Sequence, residues 1–167
     1  MSWSWIGFRR VLFGWEKFDS LEQFIASTSS INDMLDYAKQ HFTWEEDRIA
    51  EDEWQEPNKA FLNLQSRNTP ADCDDFTTVF NAWFQAKGYA SWMIAVWNAT
   101  EGHAVCVYSE GDYLYYADNF FRPRIRFNTI QQICFDIYPD AKIAKYARWS
   151  SQQKRYVYTE NINLKAT

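Results

Sequence analysis

At 167 residues the chain can form a single domain that buries roughly two-thirds of the surface exposed when unfolded. Aromatic residues make up 19% of it, with nine Trp, ten Tyr and thirteen Phe, which excludes a disordered chain and requires rings to fill much of the core. A net charge of −5 excludes a protein that binds nucleic acid by neutralising phosphates.

Residues 1–30 read as an aromatic-rich arm carrying Trp3, Trp5, Phe8, Phe13 and Trp15. Its apolar residues are broken by Ser2, Ser4, Gly7, Arg9 and Arg10 before a signal-peptide core or a membrane span could form. Cysteines 73, 106 and 134 are an odd number in a chain large enough to fold without staples. Both features make the cytoplasm the expected location, with no membrane partner. The Ser/Thr run 27–30 favours a helix start, and Ile31, Met34, Leu35, Ala38 and Phe42 follow helical spacing. After an acidic stretch over 44–56, Pro57 opens a further helical turn.

Phe76, Val79, Phe80, Trp83 and Phe84 recur on one helix face, predicting a helix over 72–87 that Gly88 ends. Beyond it the period becomes that of strands, over 91–97, 103–109 and 113–117, joined by turn-like breaks at 98–102 and 110–112. An antiparallel meander follows. A short strand over 124–127, a helix over 130–138 ended by Pro139 and a strand over 143–149 complete the expected order. The basic groups Arg122, Arg124, Arg126 and Lys142, Lys145, Arg148 read as solvated faces. The expected fold class is α+β, with helices on one side of a mainly antiparallel sheet of about four to six strands.

Three residues could carry chemistry together. Cys73 lies in Asp72-Cys73-Asp74-Asp75, at the first turn of the clearest helix, where unpaired N–H groups and the helix dipole favour a thiolate. The neighbouring carboxylates oppose that charge, so the net effect depends on a cationic partner. His103 opens a strand after Gly102, a position from which an imidazole can enter a cleft and act on a thiol. Asp118 ends the next strand. In a hairpin joined by residues 110–112 the start of one strand lies near the end of the other, which brings His103 and Asp118 together and lets the carboxylate orient the imidazole. Cys106, three positions from His103, points to the opposite face, and Cys134 sits in an apolar run; both read as core.

With these residues in place the sequence resembles the bacterial transglutaminase-like cysteine peptidases of the papain-like superfamily. The matching pieces are Trp54-Gln55-Glu56-Pro57, Asp72-Cys73-Asp74-Asp75-Phe76 with the aromatic helix and Gly88-Tyr89, Gly102-His103-Ala104-Val105, and Tyr116-Ala117-Asp118-Asn119. They span residues 54–119, the motif-bearing core. The resemblance implies a nucleophile at a helix N-terminus (Cys73), a base (His103) on the sheet and an orienting acid (Asp118), acting on a protein or peptide substrate through a thioester. Pro70-Ala71 stands where many relatives have glycines, and Asn119 could orient the histidine in place of Asp118. The same chemistry with lysine replacing water would give transglutaminase-type amine transfer, and a silent triad would leave a binding or assembly module. Acidic residues flanking the cysteine bind calcium in some relatives, where Asp72 and Asp74 stand here; helix capping and dipole compensation are the ordinary roles of such residues. Trp54 would line the cleft.

Overall fold

The strands are built from the β-branched and aromatic runs that follow Gly88, and short turns fix their order. In the computed structural model, which describes residues 15–45, 54–66, 68–150 and 155–164, β1 (Ser91–Trp97), β2 (Gly102–Glu110) and β3 (Tyr113–Ala117) form the expected antiparallel meander. The β1–β2 turn is closed by Asn98, whose Oδ1 accepts from the Thr100 and Glu101 amides at 2.8 and 2.9 Å. The β2–β3 turn places Gly111 at φ +61°, a left-handed conformation that glycine adopts without steric cost. Two further strands, β4 (Ile143–Ser150) and β5 (Arg155–Asn161), pair outward from β1, giving the order β3-β2-β1-β4-β5.

This sheet separates two hydrophobic cores. On one face Cys106, Tyr108, Tyr115 and Ala117 meet four helices: α1 (Leu21–Ser27), α2 (Ile31–His41), α3 (Pro57–Leu64) and α4 (Cys73–Ala86). On the other, Ile94, Val96, Val105 and Val107 meet Ile133, Cys134 and Ile137 of α5 (Ile130–Ile137). Strand β2 is therefore buried without a break from His103 to Tyr108, which is why it reads as a continuous apolar run. The expectation of helices on one side only is corrected here. A hydrophobic pattern marks which residues of a helix are buried but not which sheet face receives them.

Three other expectations change. Residues 21–27 are helix α1, with Ser20 as N-cap, rather than part of an irregular arm; Trp3, Trp5, Phe8 and Phe13 lie outside the described residues. Strand β5 was not expected. Residues 124–127 form no strand and make one isolated bridge, Leu114 to Phe127, because Pro123 fixes φ and donates no hydrogen bond. The arginines of that segment are not a merely solvated face: Arg122 lies over Tyr116 and Phe120, Arg124 over Tyr115 and Arg126 over Tyr113, with guanidinium carbons 4.5–5.9 Å from the ring centroids.

Helix α4 organises the larger core. Its N-cap Asp72 accepts from the Asp74 amide, and Val79, Phe80, Trp83 and Phe84 are wholly buried. The Trp83 indole Nε1–H donates to Thr28 Oγ1 at 2.7 Å, tying α4 to the end of α1. Replacing Trp83 with Ala should cost about 3–5 kcal/mol, a fall of roughly 6–20 °C in Tm for a chain of this size. Calorimetry checks this, and a loss of less than about 3 °C would contradict the packing described. Among the described residues no helix is long and apolar enough to cross a membrane.

Candidate active site

Cys73 is the first residue of α4 and half-buried. Its Sγ accepts a hydrogen bond from the Ala104 amide at 3.4 Å. That amide is available because of strand length. The ladder between β2 and β3 ends at the Cys106–Ala117 pair, two residues short of Ala104. The N-terminus of α4 thus rests against the stretch of β2 that β3 leaves uncovered, and the sulfur lies against the residue that follows His103.

His103 and Asp118 meet as the hairpin argument requires, by a diagonal route. The Cys106–Ala117 pairing sets Asp118 opposite Val105 rather than His103, and because β side chains alternate, residues 103, 105 and 118 share a face. His103 Nε2 lies 3.2 Å from Asp118 Oδ2, with the two residues 7% and 1% exposed. A carboxylate acceptor puts the proton on Nε2, which leaves Nδ1 as the nitrogen able to take a proton from a thiol. Asp118 Oδ1 accepts from the Phe120 amide at 3.1 Å, and Oδ2 also lies 3.6 Å from Arg122 Nε.

The loop after Asp118 is strained. Its amide-to-carbonyl bond from Phe121 to Asp118 closes a tight turn at 3.2 Å, and Phe121 sits at φ +51°, where a non-glycine residue costs on the order of 1–3 kcal/mol. This geometry sends the Phe121 ring into the core against Phe76, centroids 5.9 Å apart. It leaves Phe120 61% exposed, 5.2 Å from the imidazole centroid. On the other flank a Cβ added at Gly102 would stand 2.5 Å from Cδ1 and Nε1 of Trp97, so that indole covers the backbone just before His103 and only glycine fits beneath it.

Trp54 stands edge-on to Tyr158 at 6.2 Å, and Tyr158 edge-on to Trp97 at 5.4 Å. Three rings therefore run from Trp54 to the indole over Gly102. Beside them, Pro57, Asn81, Ser91, Ala147 and Glu160 help line a cavity of about 740 Å³ between the helices and the β4–β5 half of the sheet. Asn119 is half-buried, with its Oδ1 lacking a hydrogen-bond partner among the described residues, and it is Asp118 that contacts the imidazole. Asp72 Oδ1 caps the helix by accepting from the Asp74 amide at 3.1 Å. Among the described residues no group of three or more His, Cys, Asp or Glu side chains gathers to hold a metal ion. Asp72 and Asp74 would supply two carboxylates of the six to eight oxygens that calcium takes.

The other two cysteines are chemically remote. Both are fully buried; burial raises the Cys106 thiol well above its ordinary value and pushes Cys134 up to about 12. Sequence reasoning missed the Ala104 amide, Phe120 and Arg122. The first two depend on where β3 stops and how its loop turns; for Arg122 the signal was its spacing of four from Asp118. No family model, curated protein or solved structure matches the chain.

Proposed function

We propose that the protein is a cysteine hydrolase of papain-like, transglutaminase-like design, cleaving peptide or side-chain amide bonds in a cytoplasmic protein or peptide substrate. The observations that carry this reading are the buried His103–Asp118 hydrogen bond at 3.2 Å and the Cys73 sulfur 3.4 Å from the amide nitrogen of Ala104, the residue that follows His103. Cys73 Sγ–H passes its proton to His103 Nδ1, and the thiolate attacks the carbonyl carbon of the scissile amide. The tetrahedral oxyanion is stabilised by backbone N–H groups at the start of α4, that of Cys73 included. Imidazolium then protonates the leaving amine, the C–N bond breaks and a thioester remains. His103 next takes a proton from water, hydroxide attacks the thioester, and the acid product leaves as the proton returns to Cys73. Asp118 accepts throughout from Nε2–H, fixing the tautomer and favouring the imidazolium.

Incubation with an unstructured substrate such as casein, in the presence of a tagged primary amine, separates the outcomes. Hydrolysis yields new peptide termini, or glutamate in place of glutamine where a side-chain amide is cut, both detectable by mass spectrometry, and Cys73→Ala yields neither. Tag on glutamine without chain cleavage would replace hydrolysis by amine transfer. Neither product from folded wild-type protein would overturn the enzyme reading in favour of a silent binding module.

A further inference from the structure

Asp118 is a carboxylate with 1% exposure, and a buried charge is costly unless something of opposite charge stands beside it. A neutral imidazole and the Phe120 amide offer hydrogen bonds but no net charge. Arg122 offers both. A guanidinium stays protonated throughout the working pH range, and this one is held in place rather than trailing in solvent. Its NH1 donates to Tyr116 Oη at 2.9 Å, Tyr116 donates to Asp136 Oδ2 at 2.7 Å, and its plane covers Phe120. The Phe120 ring lies 5.2 Å from the imidazole centroid and 5.2 Å from the guanidinium carbon, so it packs against both groups that approach Asp118 Oδ2.

We propose, on the basis of the hydrolase reading, that Arg122 is a positioning residue of the triad: it holds Asp118 toward His103 and takes a share of the carboxylate's charge that the imidazole would otherwise have alone. Strong, unshared pairing with a buried carboxylate makes imidazolium a poor acid, which slows protonation of the leaving amine. By drawing on the same oxygen, Arg122 keeps His103 oriented while leaving its proton easier to release. Among the described residues, Asp136 on α5 accepts from Tyr116, and Cys73 on α4 and Glu101 in the β1–β2 turn act with Arg122 on the Tyr138 phenol. Tyr116 is pushed up to about 12, by burial first and then by its bond to Asp136, so it remains a donor in the anchoring chain. Tyr138 is raised by burial, then by Glu101 and Cys73, with Arg122 opposing.

The chain has two histidines, which makes the test direct. In full-length protein carrying Cys73→Ala, so that the thiol adds nothing to the titration, the imidazole C–H resonances are followed by NMR, with His41→Gln assigning the second signal. Arg122→Gln is expected to raise the His103 midpoint by about one pH unit, while Arg122→Lys, which keeps the charge, leaves it within a few tenths. Tyr116→Phe removes only the hydroxyl that anchors the guanidinium and should move the midpoint the same way by less, covering the case in which Arg122→Gln does not fold. An unmoved or lowered midpoint in the folded variants overturns the proposal. A raised midpoint, in a protein whose Cys73 shows no selective alkylation when present, would instead overturn the hydrolase reading and leave the Arg122–Asp118–His103 coupling standing.

Discussion

Iodoacetamide at pH 6.5 is expected to modify Cys73 and to leave Cys106 and Cys134 intact. Alkylation follows the thiolate fraction and access. Cys106 and Cys134 have neither, being fully buried with thiols raised by that burial. Cys73 is half-buried, and its helix start and the amide N–H on its sulfur both favour the anion. Against these stand Asp72, Asp74 and Asp75, whose carboxylates sit within the same turn. The imidazolium decides the balance. A thiol at its free value of about 8.5 is roughly 1% ionised at pH 6.5, so a fully formed ion pair could raise the rate up to about a hundredfold over that baseline. His103→Ala should therefore slow alkylation at pH 6.5 by at least about tenfold. His103→Gln, which can keep a hydrogen bond to Asp118, controls for the cavity an alanine would leave. Equal rates in wild type and in both folded variants would mean that Cys73 and His103 are not a pair.

How much of this was visible beforehand depends on distance along the chain. Helix α4 was legible because five large apolar residues repeat on one face, and the β1–β2–β3 meander because short polar turns leave few alternatives. The approach of His103 to Asp118 followed from the hairpin, though the two-residue offset did not, since the register depends on where β3 stops. Helix α1 escaped notice because seven residues with only Leu21 and Phe24 buried are too few for a period to show. Strand β5 pairs with β4 alone at the sheet edge, and Tyr158, Thr159 and Glu160 are all exposed, so it lacks the alternation of a strand with one buried face. The partners of Asp118 were the least legible. An arginine beside a proline reads as surface until the loop that carries it is seen to turn back over its own aspartate.

That loop bears on the remaining large effect. Asp118→Asn keeps the shape of the side chain and can keep the Phe120 amide bond to Oδ1, but it replaces a charged acceptor with an amide that can present N–H to Nε2. An imidazole facing such a donor is driven toward the tautomer with its proton on Nδ1, the nitrogen that must accept from Cys73. Turnover on peptide substrate should fall by about 10²- to 10⁴-fold, the usual worth of one positioned acid–base group. Selective alkylation of Cys73 should fall much less, because the thiolate keeps the helix N-terminus and the Ala104 amide. The contrast between the two readouts identifies the role. If Asp118 merely supported the fold, turnover, alkylation and Tm would decline together; if it orients the base, turnover collapses while Cys73 remains the cysteine that reacts first. Asn119→Ala serves as the comparison, because Asn119 makes no bond to the imidazole among the described residues, and its turnover should stay within about threefold of wild type. A larger loss in Asn119→Ala than in Asp118→Asn would transfer the orienting role to the neighbouring residue.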